Sequence, residues 1–223
     1  MIPYKDDNPT MTIPYVTIFL ITLNVLVFLL QSLWNDHEVF YRYGAIPAAL
    51  LGSEVPMQAL PAGLTLLTSM FMHGGLFHLG GNMLYLWIFG DNVEEVLGHL
   101  RFGLFYLVGG VIAAYSHAFA SDGSIVPMVG ASGAVSAVLG AYMFLFPGAR
   151  VRTLIFLGFF IENVKLPALI VIGFWAIIQM LNGMTSGSSV TGGVAWFAHI
   201  GGFLYGLLII YLLVGKKVYR RLK

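Results

Sequence analysis

The sequence predicts an all-α membrane protein, a bundle of six transmembrane helices with a long extracellular loop after the first. Three observations carry this. Hydrophobic residues make up 58% of the chain and charged residues only 9%, against roughly 25% charged in soluble domains. Six apolar runs approach or reach the about 20 residues that cross a ~30 Å hydrocarbon core. The cations Lys5, Arg101, Arg150, Arg152, Lys165, Lys216, Lys217, Arg220, Arg221 and Lys223 fall on the ends that an even number of spans brings to one side, and Arg42 falls opposite. The positive-inside rule makes that shared side cytoplasmic, both termini included.

Residues 1–12 form a cytoplasmic segment. The run 13–33 is the first span: it is long for a signal-peptide core, and no small-x-small cleavage site follows. Residues 34–64, with Asp36, Glu38, Arg42, Glu54 and prolines 47, 56 and 61, are too polar and broken to span, which makes them the long loop. Further spans are predicted over 76–89, 102–119, 132–146, 166–181 and 194–214, so that residues 13–214 make one core and 215–223 a basic cytoplasmic tail. The short apolar stretch 151–161 reads as interfacial. Glu94 and Glu95 beside Arg101 read as a solvated turn. His37 and His99 read as solvated, His117 as interfacial, and Trp87, Trp175 and Trp196 as packing or interface anchors. A net charge of +1 implies no nucleic-acid partner, and the absence of cysteine excludes disulfides, thiolate metal sites and cysteine nucleophiles.

The fourth run is short. About 15 residues at 1.5 Å each reach roughly 22 Å, some 8 Å less than the core thickness. Its cytoplasmic end is fixed by Pro147-Gly148 and the arginines, so Ser132 should lie below the outer surface. Residues 121–127 would then descend as non-helical chain, tolerated only beside protein or a water cavity. A submerged, wet pocket opening outward is the expectation.

Ser132 stands in Gly130-Ala131-Ser132-Gly133, and His199 in Ala198-His199-Ile200-Gly201-Gly202, about one turn into the sixth run. Both runs enter from outside, so the depths match. Intramembrane ionisable groups are functional by default. A serine in a first helical turn meets unpaired N–H groups and the positive end of the macrodipole, which suits a developing oxyanion. A neutral histidine can take its proton, and no acid nearby in sequence suggests a third member, so a dyad is the simpler proposal. Taken alone, Ser132 is more simply an N-cap and its glycines packing residues. The string is not a Gly-x-Ser-x-Gly elbow, since Ala134 takes the place of the last glycine. Gly202 and Gly206 share the face of His199, which predicts close approach to another backbone, with the Ser132 helix its natural neighbour. His78 and Asn82, one turn apart, are donors that could complete an oxyanion hole with the Ser132 backbone N–H. Metal binding is the weaker reading, because Asn82 stands where a second histidine would be needed. His73 reads equally as a polar tie between loop and helix.

Together, His78-x-x-x-Asn82, Gly130-Ala131-Ser132-Gly133-Ala134 and His199-x-x-Gly202-x-x-x-Gly206, in this order, resemble the rhomboid intramembrane serine proteases. The resemblance covers residues 13–214. With no soluble domain appended, it is to the minimal prokaryotic members, implying a prokaryotic cell (inner) membrane. It implies Ser132 as nucleophile, His199 as general base, and His78, Asn82 and the Ser132 backbone as oxyanion hole. Gly130, Gly133, Gly202 and Gly206 support them, and His73 supports the first loop or a water site. The implied partners are the lipid bilayer and a transmembrane protein substrate cleaved near the outer boundary, with no cofactor or metal. The sequence departs from the family pattern in two places. Leu64 and Thr65 stand where some members carry Trp-Arg, and Ser136 stands where some place a tyrosine stacked on the base, so Ser136 is expected to hydrogen-bond instead. The alternative is a non-catalytic relative that binds or chaperones transmembrane segments. A transporter or channel is disfavoured because the polar groups cluster toward the outer half, with no pathway evident.

Overall fold

The computed structural model describes residues 1–34, 38–158, 160–185 and 194–221. Its elements are β1 (Ile2–Asp6), α1 (Tyr15–Ser32), α2 (Glu38–Tyr43), α3 (Pro47–Leu50), α4 (Ala62–Ser69), α5 (Leu76–Leu97), α6 (His99–Ala120), α7 (Ser132–Leu145), β2 (Arg150–Leu157), β3 (Phe160–Pro167), α8 (Ala168–Thr185) and α9 (Trp196–Arg221). The molecule is mostly helical. By length and composition, α1, α6 and Trp196–Val214 of α9 can cross a membrane, while α7 and Ala168–Met184 of α8 are apolar but shorter. In α5 the polar His78, Asn82, Asp91 and Asn92 lower the hydropathy.

The organising element is α7, whose residues from Gly133 to Tyr142 are all buried. Between apolar helices in lipid, burial of apolar surface supplies little drive, so close van der Waals contact has to. Small residues permit that contact here. A Cβ at Gly202 would lie 2.1 Å from the Gly133 carbonyl oxygen, one at Gly206 2.0 Å from that of Ala137, and one at Gly140 2.2 Å from that of Phe203. Helices α7 and α9 therefore touch backbone to backbone, which brings the start of α9 beside the start of α7.

A three-stranded antiparallel sheet in the order β1-β2-β3 departs from the all-α expectation. The stretch read as interfacial is half of a hairpin, and the N-terminal segment supplies the third strand, with Ile2 opposite Leu154 and Asp6 opposite Val151. Short apolar runs do not reveal helix or strand by periodicity alone. Here Val151 and Thr153, both fully buried, show the two-residue alternation of a strand. Asp7 binds Lys165 (2.8 Å) and Arg152 (2.7 Å), which hold its carboxyl below the ordinary range. Asp6 is buried and accepts a hydrogen bond from the Tyr142 hydroxyl at the far end of α7; burial, above all, pushes it up to about 6.

Glu94 is also corrected. It is not solvated but fully buried, accepting bonds from the Val16 and Thr17 N–H groups (2.9 and 2.8 Å) and the Thr17 hydroxyl (2.7 Å). Pro14 leaves the start of α1 without a side-chain cap of its own. The carboxylate of α5 satisfies those orphan donors and faces the positive end of the helix. His99, half exposed, closes the cluster at 2.6 Å. The long loop contains α2, α3 and the start of α4, with Arg42 paired to Glu38 one turn away (3.1 Å). The expected tail continues α9 as helix to Arg221. Asp36, His37 and Lys223 lie outside the described residues.

Candidate active site

Gly130 starts the site. Its φ of +127° lies in the region that favours glycine, and a Cβ there would lie 2.7 Å from both Cε1 and Nε2 of His78. The non-helical chain leading to it is tied by reciprocal backbone bonds between Ala45 and Met128 (3.1 and 2.7 Å), and the Gly130 N–H donates to the Ser69 carbonyl (2.9 Å). These backbone groups of the irregular segment are thus satisfied by neighbouring chain.

Ala131, not Ser132, occupies the cap position of α7, and no side chain caps the helix. The Ser132 hydroxyl instead lies 2.8 Å from Nε2 of His199. On the far side of the ring, Nδ1 lies 2.7 Å from Oε1 of Gln179. An amide oxygen only accepts, so Nδ1 carries the ring proton and Nε2 is free to accept from Ser132. Trp175 lies tilted beside the imidazole, with centroids 6.0 Å apart at 36°, and Trp196 stands perpendicular at 6.1 Å. Their reading as mere packing anchors is incomplete, since both bracket His199. Ser136 does not reach the histidine; its hydroxyl donates to the Ser132 carbonyl one turn back (2.6 Å), the local bond open to any helical serine.

Ser132, Gln179 and His199 open onto a cavity of about 1130 Å³ that His78, Asn82 and Trp175 also line. His117 lines it too, with a buried Nδ1 that has no hydrogen-bond partner among the described residues. Asn82 offers a buried amide nitrogen without a hydrogen-bond acceptor among the described residues. The Gly74 N–H donates to Nδ1 of His78 (3.4 Å), leaving that ring's proton on Nε2, the atom beside Gly130. Two donors on one face of α5 thus border the mouth of α7.

His73 is fully buried and does not line the cavity. Its Nδ1 donates to the Phe71 carbonyl (3.4 Å), and Nε2 accepts from the Ala131 N–H (3.5 Å). Burial first, then the nearby His78, push it down to about 4, so the ring is neutral and can accept. Gln31 of α1 grips the His73 peptide on both its N–H and its carbonyl. The tie between loop and helix is what these contacts build.

Residues 62–216 match the family model of the Rhomboid domain. The chain belongs to the rhomboid family. This rhomboid is 28% identical over 213 residues to Rhomboid protein 1, mitochondrial, of Saccharomyces cerevisiae, covering 92% of the chain and 56% of that relative. It is 32% identical over 157 residues to RHOMBOID-like protein 4 of Arabidopsis thaliana, with coverages of 70% and 36%. It is 34% identical over 143 residues to the human Presenilin-associated rhomboid-like protein, mitochondrial, with coverages of 63% and 35%. The rhomboid described here therefore spans between a third and little more than half of the length of these relatives. The expected prokaryotic cell membrane is overturned by these matches: the relatives are eukaryotic proteins, and several are named as mitochondrial.

The sequence reading missed Gln31 and Gln179. Gln179 left a usable signal: with Trp175 it forms an i, i+4 pair on an otherwise apolar run, and an amide there needs a partner.

Proposed function

We propose that this rhomboid is an intramembrane serine endopeptidase, with Ser132 as nucleophile and His199 as general base. The single observation that supports it best is the 2.8 Å contact between the Ser132 hydroxyl and a histidine nitrogen whose other nitrogen is already engaged. In this reading α1, α5, α6, α7, α8 and α9 are the six spans, and the substrate is a transmembrane segment of another membrane protein. It is cleaved near the membrane face remote from the rhomboid's termini, where α7 begins. Opening a substrate helix is costly in lipid but feasible beside a polar cavity, so helix-weakening residues favour cleavage.

His199 Nε2 takes the Ser132 proton as Oγ attacks the scissile carbonyl carbon. The carbonyl electron pair moves to oxygen, giving an oxyanion held by the Asn82 amide, the His78 Nε2–H and the Ser132 backbone N–H. The intermediate expels the amine, which takes the proton back from His199. Water, deprotonated by the same nitrogen, then hydrolyses the acyl-enzyme.

The test incubates the purified protein with a single-span model substrate in liposomes, beside Ser132→Ala and His199→Ala, and identifies products by mass spectrometry. Cleavage by the parent alone is expected. Equal cleavage by all three sinks the proposal, and binding without cleavage by any, across several substrates, indicates the chaperone activity instead.

A further inference from the structure

Neutral imidazole carries one proton on either nitrogen, and only the Nδ1–H form leaves Nε2 able to accept from a serine. Among the described residues, none near His199 in sequence makes this choice. The only partner of Nδ1 among the described residues is Gln179, which arrives from α8, is itself buried, and sits one turn after the Trp175 that lies beside the same ring.

We propose that Gln179 is a positioning residue, whose Oε1 accepts the Nδ1–H of His199 and holds the imidazole in the tautomer and orientation that direct its Nε2 lone pair at Ser132. This rests on the protease reading for its consequence, although the tautomer exists without it. An amide suits the place physically. A buried carboxylate would add an ion whose desolvation is costly while His199 is neutral, whereas an amide dipole is cheap to bury when bonded and still stabilises the imidazolium once the serine proton arrives. Gln179 touches neither Ser132 nor the substrate carbonyl in this scheme and acts through His199. The dyad thereby depends on three helices: α7 brings the serine, α9 the histidine, and α8 the group that orients it.

The experiment compares parent, Gln179→Leu, Gln179→Glu and Ser132→Ala in the same liposomes. Four quantities are measured: kcat and KM for a model substrate across pH, labelling of Ser132 by a fluorophosphonate, thermal unfolding, and the nitrogen NMR shifts of His199. Gln179→Leu is expected to lower kcat and labelling roughly 10- to 100-fold, part of the ~10²–10⁴ that a positioned general base contributes, with KM unchanged. Its His199 shifts should report mixed tautomers where the parent shows Nδ1–H alone. Gln179→Glu, which can only accept once it is ionised, is expected to recover activity relative to Gln179→Leu at pH values where the carboxylate forms, and to move the acid limb of the pH-rate profile to higher pH, because a carboxylate favours the imidazolium.

Parent-like rates, pH limb and tautomer in Gln179→Leu would overturn the proposal. So would an inactive Gln179→Glu beside an active Gln179→Leu, since an amide turned to donate to Nδ1 could not be replaced by an acceptor. A parent that neither cleaves nor labels above Ser132→Ala defeats the protease reading, while the NMR comparison still decides the role of Gln179.

Discussion

Gly202→Ala is expected to separate the proposed nucleophile from its base by adding one methyl group. The new Cβ would lie 2.1 Å from the Gly133 carbonyl oxygen, about 0.9 Å inside the 3.0 Å that real Cβ atoms respect. The obstacle is backbone, so no rotamer change relieves it. Gly133 follows Ser132 directly and Gly202 lies one turn after His199, so α9 must retreat from α7 at the site itself. A retreat of that size lengthens the 2.8 Å Ser132–His199 contact to about 3.7 Å, beyond a useful hydrogen bond. Overpacking costs about 1–3 kcal/mol, and replacing a helical glycine by alanine returns up to ~1 kcal/mol. Net destabilisation is therefore modest, about 0–2 kcal/mol, while misplacement of the reacting groups lowers the rate ~10²-fold. The assay is substrate cleavage in liposomes with a parallel melting curve. Gly80→Ala is the control, a helical glycine on α5 that does not line the cavity and has nothing within 4 Å of its added Cβ. A Gly202→Ala protein that cleaves at the parent rate would refute the claim that backbone contact between α7 and α9 sets the dyad.

Asn82→Ala is expected to lower kcat by roughly 10²–10³, as for other oxyanion donors, without loss of stability, because its buried amide nitrogen has no acceptor among the described residues; kinetics beside a melting curve check both. Gly130→Ala should lose both stability and rate, since its φ is +127° and its Cβ would meet the His78 ring; a parent-like melting temperature would refute the strain. Glu94→Ala should destabilise by about 3–5 kcal/mol, the scale for breaking a buried charged cluster, read as a lowered unfolding midpoint. Asp6, raised from 3.8 to about 6, favours the protonated form in the fold. Its contribution to stability is complete below about 4 and is lost as pH rises through about 6. Melting curves across that window should fall with pH more steeply for the parent than for Asp6→Asn, and equal slopes would refute the assignment.

The sequence by itself determined the membrane character, the starts of the long helices within a few residues, and the residue types at the site, while α5 and α9 run on to Leu97 and Arg221, past the ends predicted at 89 and 214. Those features are local: hydropathy sums over a window, and Ser132, His199, His78 and Asn82 stand out because polar groups in apolar runs require a reason. Distances were not legible, because contacts between elements depend on how helices pack. The sheet escaped notice because β1 and β2 are distant in sequence and the alternation that starts β2 gives way to the continuous apolar run 154–157, which reads equally as helix or strand. Glu94 looked solvated because Thr17, whose backbone and hydroxyl it caps, lies on another helix. Ser136 looked available to the histidine until the helix gave it a nearer acceptor in Ser132. The roles of Gly202 and Gly206 became specific only when their missing side chains were found to face the carbonyls of Gly133 and Ala137. The role of Gln179 was decided by the tertiary structure: the sequence shows an amide that needs a partner on α8, but the nitrogen it meets lies on α9, and hydrogen-bond geometry between separate helices is fixed by packing and not by spacing along the chain.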